Sequence, residues 1–183
     1  MKEQLESRAK ALDYFSNLLE NRFGGKSMLN YKIPGRGKFE IENIVLDYNG
    51  TVAVDGLILD GVKELLSKLK EHANVYILTA DTYGTVREEC KDLGVEVIRF
   101  PNENAGENKK RIVKELNGQK TICIGNGYND IPMFEESILS IAVIEGEGAC
   151  GKLLSNSDIV TRSIIDALNI ILNEKKLAAT LRN

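Results

Sequence analysis

The chain of 183 residues has no tryptophan, one histidine, three prolines and three cysteines. A single histidine excludes a histidine-rich metal centre. Cys90, Cys123 and Cys150 lie far apart without a CxxC pair, which argues against a disulfide framework and a zinc site, so we predict reduced thiols. No apolar run approaches about 18 residues, and the first ten residues are charged where a signal peptide is apolar. We therefore expect a cytoplasmic protein with no membrane segment.

Neither sign of charge dominates, since 24 Lys and Arg residues stand against 27 Asp and Glu residues, a net charge of −3. The chain therefore lacks the basic footprint of a nucleic-acid-binding protein. Its content of 43% hydrophobic and 28% charged residues is typical of globular proteins, and its length suits one domain. We place this domain at 28–183, after an N-terminal extension at 1–27.

The extension carries apolar residues at helical spacing and ends at Gly24-Gly25, which predicts an amphipathic helix over 1–23. The first expectation is that this helix packs on the domain. The alternatives are self-association and an upstream extension before a true start at Met28. The stretch from Asn30 to Ile41 holds a Pro34-Gly35 turn signal and predicts a β-hairpin.

From Glu40 onward, short β-branched runs alternate with amphipathic stretches, the rhythm of βαβ units. This rhythm predicts an α/β fold with a doubly wound, Rossmann-like, mostly parallel sheet that helices cover on both faces. One helix is expected from Asp60 to Glu71, with Asp60 as its cap. The predicted strands are Ile41 to Leu46, Asn74 to Leu78, Val95 to Arg99, Lys120 to Ile124, Ser140 to Ile144 and Asp158 to Val160.

Polar residues that follow the strands are candidates for a site, because ligands of such sheets bind at the carboxyl ends of the strands. Asp47 follows the first strand within Asp-Tyr-Asn-Gly-Thr, and a carboxylate there can attack a phosphoryl group. A plain Asn-Gly turn is the alternative. Thr79 ends the second strand and can donate to a phosphoryl oxygen; alternatively Thr79 or Asp81 caps the next helix.

Two later stretches add charge and oxygen ligands. The run Asn-Lys-Lys-Arg at 108–111 opens a predicted helix, where the helix dipole disfavours cations, so one of them is expected to be held for a ligand. A solvated face is the alternative. The loop Gly-Asn-Gly-Tyr-Asn-Asp at 125–130 offers acid and amide oxygens suited to Mg²⁺. Tyr48 and Tyr128 are predicted to flank the entrance, or to be exposed loop tyrosines.

Taken in order, these motifs resemble the four signature motifs of the haloacid dehalogenase superfamily, phosphotransferases that pass a phosphoryl group through an aspartate. The resemblance runs from Ile41 to about Leu172, and its key residues are separated by 32, 30 and 21 positions. D-Y-N-G-T, T-A-D and G-N-G-Y-N-D-I-P are similar to D-K-T-G-T, T-G-D and G-D-G-x-N-D-A-P of P-type ATPases. Small soluble P-type ATPase-like hydrolases share this form.

The resemblance implies a role for each matching residue. It implies that Asp47 is the nucleophile and that Asn129 is a nearby hydrogen-bonding group. Lys109 is the better match to the family lysine, because it lies three positions before Ile112, and Lys110 is the alternate. The implied catalytic residues are Asp47, Asn49, Thr79 and Lys109. The implied phosphate-binding residues are Asn49, Gly50, Thr79, Ala80 and Lys109. The implied Mg²⁺ ligands are Asp47, the backbone carbonyl of Asn49, Asn126 and Asp130, with Asp130 either in the metal site or behind it.

Asn49 and Asn126 depart from the family motifs at two positions that contribute to catalysis or to metal binding. Asn49 occupies the position of the phosphatase acid and cannot transfer a proton, which favours slow hydrolysis. Asn126 replaces an expected magnesium-binding Asp, which lowers the expected metal affinity. Both precede glycine, so deamidation to an acid is a hypothesis. The intervals between motifs are also too short for a cap domain or a nucleotide-binding domain, which implies an open site.

The sequence therefore predicts a Mg²⁺-dependent phosphohydrolase that forms an aspartyl-phosphate at Asp47 and acts slowly on small generic substrates. The alternatives are a weakly active or inactive phosphate-sensing or partner-binding module, and an oligomerising accessory protein. An open site suits a large phosphorylated substrate, or a neighbouring copy of the chain that supplies a lid. Residues 52–59, around Asp55-Gly56, are predicted to form a small hairpin over the site, here called the flap.

Overall fold

The computed structural model describes residues 28–80 and 85–183. The predicted helix over 1–23, the extension at 1–27 and Asp81 lie outside the described residues. The strands are β1 (Leu29–Ile33), β2 (Gly37–Ile41), β3 (Asn43–Asp47), β4 (Ala53–Val54), β5 (Leu57–Ile58), β6 (Asn74–Thr79), β7 (Glu96–Arg99), β8 (Thr121–Gly125), β9 (Leu139–Val143) and β10 (Ile159–Thr161). The α-helices are α1 (Val62–Leu69), α2 (Thr85–Cys90), α3 (Ala105–Glu115), α4 (Ile131–Glu136), α5 (Gly151–Ser155), α6 (Ile164–Ile171) and α7 (Glu174–Leu181).

Six strands form one parallel sheet in the order β10-β9-β8-β3-β6-β7. The chain enters the sheet at β3, adds β6 and β7 on one side, and then adds β8, β9 and β10 on the other. The strand order therefore reverses between β3 and β8, and ligands of such sheets bind at this point. The predicted doubly wound α/β fold is confirmed, and each predicted strand begins and ends within two residues of the observed one.

Side chains of the sheet alternate between two hydrophobic layers. On β3, Ile44 and Leu46 pack in the layer that includes α1, α6 and α7, whereas Val45 packs in the layer that includes α3 and α4. All three are fully buried, which explains the near-continuous apolar run of this strand. Cys123 on β8 is buried in the second layer, and the three cysteines are free thiols, as predicted.

Two antiparallel hairpins accompany the sheet. The first pairs β1 with β2 around the predicted Pro34-Gly35 turn, and the Tyr31 hydroxyl holds it on α6 by donating to the Ile171 carbonyl at 2.7 Å. The second is the flap, in which β4 pairs with β5. Its turn residues, Asp55 and Gly56, both have left-handed backbone conformations, with φ of 51° and 79°, as a tight two-residue hairpin turn requires.

Two local predictions are wrong. The position before α1 is Gly61, with φ of 79° and no side-chain capping hydrogen bond, so Asp60 does not cap this helix. The helix that carries the cation run begins at Ala105 rather than at residue 108, which places Lys109 in its second turn. The argument from the helix dipole therefore does not apply to Lys109. In the part of the chain that the structure describes, no helix combines the length and apolar character needed to cross a membrane.

Candidate active site

Lys109 lies between two carboxylates at the carboxyl edge of the sheet. Its Nζ atom donates to Oδ1 of Asp47 and to Oδ1 of Asp130, each at 2.6 Å, and to Oδ1 of Asn129 at 3.2 Å. The side chains of Lys109 and Asp130 are 2% and 0% exposed, whereas that of Asp47 is 13% exposed. Asp47 is therefore the carboxylate of this triad that solvent reaches, and its orientation is fixed by a buried cation.

The charges of the triad depend on one another. Burial raises the pKa of the Asp47 carboxyl and the negative charge of Asp130 raises it further, while Lys109 acts in the opposite direction. Burial acts to lower the pKa of Lys109, but the two carboxylates hold that pKa above its ordinary value. The lysine is therefore a cation at neutral pH. A second cation beside Asp47 would favour its ionised form, which is the nucleophilic one.

Asp130 also anchors the loop that follows β8. Its Oδ2 atom accepts hydrogen bonds from the backbone N–H groups of Asn126 at 3.0 Å and Gly127 at 2.8 Å. Gly125 permits this arrangement, because a Cβ atom there would lie 2.5 Å from Cγ of Asp130. Both carboxylate oxygens of Asp130 thus accept hydrogen bonds from the protein, which favours a role behind a metal site over direct coordination.

The amide of Asn126 joins three segments of the chain. Its Oδ1 atom accepts a hydrogen bond from the Thr51 hydroxyl at 3.2 Å, and its Nδ2 atom donates to the Gly148 carbonyl at 3.0 Å. Because a backbone carbonyl only accepts, this network fixes which way the amide points. Gly50, with φ of 74°, lies against the amide, and a Cβ atom at this position would collide with it.

The loop after Asp47 is held by Tyr48. Its backbone carbonyl accepts hydrogen bonds from the N–H groups of residues 51–53, at 3.3, 2.9 and 2.9 Å. Its ring is 2% exposed, and its hydroxyl donates to the Gly56 carbonyl in the flap at 3.0 Å. The prediction that Tyr48 flanks the entrance, or is an exposed loop tyrosine, is therefore wrong. Tyr128 is 64% exposed.

The remaining predicted site residues lie near the same edge. Thr79 ends β6 and is buried, and the register of β3 and β6 pairs Asp47 with Leu78, the residue before it. Ala80 follows Thr79 and is half-buried, and Asn49 is exposed in the loop after β3. The backbone carbonyl of Asn49 accepts no backbone hydrogen bond from the residues that the structure describes.

The oxygen atoms at this edge suit Mg²⁺ rather than a soft metal. Within residues 28–80 and 85–183, no group of three or more His, Cys, Asp or Glu side chains could hold a metal ion. Mg²⁺, however, commonly takes one or two carboxylates together with water and substrate phosphate. The carboxylate of Asp47, the carbonyl of Asn49 and the amide oxygen of Asn126 are a donor set that fits this ion.

A family model of haloacid dehalogenase-like hydrolases matches residues 6–137. The chain belongs to this family. An uncharacterized protein of Methanocaldococcus jannaschii is 45% identical over 74 residues, which are 40% of this chain and 80% of that protein. A soluble P-type ATPase-like phosphatase of the same organism is 28% identical over 123 residues, and the match covers 66% of this chain and 45% of that protein. The predicted resemblance to the haloacid dehalogenase superfamily is confirmed.

Solved structures of the family share the fold. The 3-deoxy-D-manno-octulosonate 8-phosphate phosphatase of Moraxella catarrhalis, solved with magnesium, phosphate and KDO, has a TM-score of 0.59 and 18% sequence identity. The match covers 78% of this chain and 94% of that one. At this identity the likeness extends to the fold alone.

The sequence alone left open whether Lys109 or Lys110 is the lysine of the site, and it missed two residues of the site. Lys110 lies 3.7 Å from Glu135, so Lys109 is the lysine that contacts Asp47. The hydroxyl of Thr51 and the carbonyl of Gly148 are the missed groups. Thr51 is the last residue of the D-Y-N-G-T string, and the glycine-rich stretch at 146–151 is the only local signal for Gly148.

Proposed function

We propose that this haloacid dehalogenase-like hydrolase is a phosphatase that cleaves phosphomonoesters by way of a phosphoryl group carried on Asp47. The observation that carries the proposal is the contact of Lys109 with both Asp47 and Asp130, at 2.6 Å each. It puts a buried cation beside a partly exposed carboxylate at the reversal of the strand order. Family membership and the phosphatases among the relatives support the proposal.

The reaction takes two steps. First, an Asp47 oxygen attacks phosphorus, the bond between phosphorus and the ester oxygen breaks, and the leaving oxygen takes a proton from water. Then water attacks the phosphorus of the aspartyl-phosphate, its bond to the Asp47 oxygen breaks, and inorganic phosphate and a proton are released. In both steps the Lys109 ammonium and the Thr79 hydroxyl stabilise charge on the phosphoryl oxygens.

Asp47, the carbonyl of Asn49 and the amide oxygen of Asn126 would hold Mg²⁺. When bound, the ion offsets the repulsion between the phosphoryl group and the carboxylate. Asp130 contributes by holding both Lys109 and the backbone of the loop after β8. Because Asn126 brings no charge, we expect weaker Mg²⁺ affinity than a second carboxylate would give.

The amide of Asn49 is expected to make turnover slow. The residue is exposed in the loop after the nucleophile, and its amide can neither protonate the leaving oxygen nor activate water. General acid–base catalysis contributes roughly 10²–10⁴-fold, so we expect slow turnover and a long-lived phosphoenzyme. Phosphorylated small molecules are the proposed substrates. A macromolecular substrate and a lid from a second copy stay predictions.

One observation favours the alternative of a phosphate-sensing or partner-binding module. The Asn126 amide is used at both ends, by Thr51 and by Gly148, and a carboxylate could not donate to the Gly148 carbonyl. The local structure therefore stabilises an amide at a position where the catalytic members of the family are expected to have an acid. A chain specialised for binding would keep the anion site and lose turnover.

The test uses acetyl phosphate and p-nitrophenyl phosphate with Mg²⁺, and compares wild type with Asp47→Asn. The matched control is Asp166→Asn, an exposed carboxylate in the first turn of α6. We expect released phosphate and a phosphorylated species by intact mass from wild type and from the control, and neither from Asp47→Asn or after chelation. Phosphate release that survives Asp47→Asn would refute the mechanism. Inert wild type that still binds phosphate would favour the binding module.

A further inference from the structure

Tyr128 and Lys152 form an exposed pair beside the candidate active site, here called the rim pair. Tyr128 is 64% exposed and opens a short 3₁₀ turn whose last residue is Asp130, the carboxylate bound to Lys109. Lys152, in α5, is exposed, and its Nζ atom lies 5.7 Å from the centroid of the Tyr128 ring. A single residue, Asn129, thus lies between Tyr128 and Asp130 along the chain.

The segment that carries Lys152 is tied to the same loop. The backbone N–H of Cys150 donates to the Asn126 carbonyl at 2.8 Å, and the Asn126 side chain donates to the Gly148 carbonyl at 3.0 Å. These two hydrogen bonds join the start of α5 to the residue that follows β8. The position of Lys152 is therefore fixed relative to the site, although its side chain is exposed.

The acidic residues of this segment are engaged elsewhere. Glu145 accepts a hydrogen bond from the backbone N–H of Ile164, and Glu147 accepts one from the backbone N–H of Asp55. Lys152 has no carboxylate within ion-pair distance among residues 28–80 and 85–183. A cation over an aromatic ring keeps its ability to attract an anion, since the ring carries no net charge.

We propose that the rim pair is a subsite for the leaving group of the substrate, and that it selects phosphomonoesters whose leaving group carries a second anionic group. The inference rests on the proposed function of Asp47. Lys152 attracts the second anion, which is a carboxylate or a second phosphate, and the ring of Tyr128 contacts the body of the leaving group between the two charges. The bonds made and broken at phosphorus are those of the proposed reaction.

The test compares three aryl esters: phenyl phosphate, 4-carboxyphenyl phosphate and 1,4-phenylene bisphosphate. The measured quantity is the kcat/KM of each anionic ester divided by that of phenyl phosphate, because the change in this ratio between variants cancels the intrinsic reactivity of the esters. We expect Lys152→Met to lower the ratio about fivefold and Lys152→Glu to lower it further. Lys175→Met, which removes an exposed lysine from α7, is the matched control and should leave the ratio unchanged.

The two anionic esters separate the two sources of charge. A Lys152-dependent ratio for the carboxylate alone assigns the subsite to carboxylates, and one for the bisphosphate alone assigns it to a second phosphate. Tyr128→Ala should raise KM for all three esters, and Tyr128→Phe should not, since the ring rather than the hydroxyl makes the contact. Ratios that do not respond to Lys152 would overturn the inference.

A binding measurement distinguishes failure of this inference from failure of the proposed function. Calorimetry of the three esters with the Asp47→Asn variant requires no turnover. Suppose that wild type hydrolyses no ester, that the anionic esters still bind more tightly than phenyl phosphate, and that Asp47→Asn/Lys152→Met abolishes this difference. The proposed function then fails and the subsite stands. If substitution of Lys152 changes neither the relative affinities nor the relative kcat/KM values of the esters, the subsite is refuted, regardless of the role of Asp47.

Discussion

The Tyr48 hydroxyl donates a hydrogen bond to the Gly56 carbonyl at 3.0 Å, which ties the residue after Asp47 to the turn of the flap. From the other side, the backbone N–H of Asp55 donates to Glu147 at 3.2 Å. The N–H groups of Val52 and Ala53 also donate to the Tyr48 carbonyl, so hydrogen bonds hold the flap both from the nucleophile loop and from the segment before α5. Its position is a property of the folded domain.

Removal of the Tyr48 hydroxyl tests this restraint. We expect Tyr48→Phe to lower the free energy of unfolding by about 1 kcal/mol, because the partly buried Gly56 carbonyl loses its donor. Urea unfolding measures the effect as a lower midpoint with an unchanged slope. Tyr128→Phe, which alters an exposed hydroxyl, is the control and should leave the midpoint unchanged. Equal midpoints for wild type and Tyr48→Phe would contradict the restraint.

Removal of the central cation should be far more damaging than removal of its neighbour. Lys109→Met leaves two carboxylates facing each other without compensation, and breaking a buried ion pair in this way costs about 3–5 kcal/mol. Lys110→Met is the matched control, since Lys110 is partly exposed beside Glu135, and it should cost less than about 1 kcal/mol. Urea unfolding at pH 7 measures both. Similar losses for the two variants would contradict the central role of Lys109.

The same variant should show a characteristic pH dependence. Burial and Asp130 raise the pKa of Asp47 in the folded protein, and loss of Lys109 raises it further. Above the ordinary carboxyl pKa of about 4, the folded variant therefore retains a proton that the unfolded chain has released, so its stability falls as the pH rises. We expect the deficit of Lys109→Met relative to wild type to be smaller at pH 4.5 than at pH 8. A deficit that is larger at pH 4.5 would contradict this assignment.

An acid at position 126 should trade stability for metal affinity. Asn126→Asp removes the donor to the Gly148 carbonyl, so without metal we expect a loss of about 1–3 kcal/mol. Added Mg²⁺ should recover part of the loss by binding to the folded state. Thermal unfolding with and without Mg²⁺ measures both effects. The control is Asn156→Asp, which alters an exposed amide that is hydrogen-bonded to the Lys152 carbonyl. If Asn126→Asp is as stable as wild type in the presence of a chelator, the hydrogen bonds of Asn126 do not stabilise the fold.

The two Asn-Gly pairs should resist deamidation in the folded protein. The reaction requires the backbone nitrogen of the glycine to attack the side-chain carbonyl carbon of the asparagine. The N–H groups of Gly50 and Gly127 already donate hydrogen bonds, at 2.7 and 2.8 Å. We expect peptide mapping after long incubation at pH 8 to find Asn49 and Asn126 intact, and to find acid in a sample held in urea. Acid at either position in the folded sample would support the deamidation hypothesis.

The fold was predictable because its signals are local. Burial on both faces leaves near-continuous apolar runs such as β3 and β8, and the Pro34-Gly35 and Asp55-Gly56 turns are short-range features. The start of α3 was missed because it follows Asn104 in a left-handed conformation, with φ of 57°. No apolar periodicity marks such a position.

The contacts of the site were less predictable than its residues. Asn126 is bonded to Thr51 and to Gly148, and these three residues come from three separate segments. The partner of the Tyr48 hydroxyl is likewise in the flap, at the carbonyl of Gly56, eight residues later in the chain. A string of residues can match a family motif, but it does not contain the partners that decide whether an amide or a ring is exposed.

The restrained flap has a consequence for the timing of the proposed reaction. Enzymes with moving lids admit substrate and exclude water at different moments, and lid opening often limits their turnover. Because hydrogen bonds from two sides hold this flap, we expect that its opening does not limit the proposed reaction and that the slow event is bond chemistry at phosphorus. Added glycerol, which slows large-scale motion, should therefore leave kcat per active site unchanged once the lower water activity is matched with a small cosolute. A kcat that falls in proportion to solvent viscosity would indicate that a moving part sets the rate.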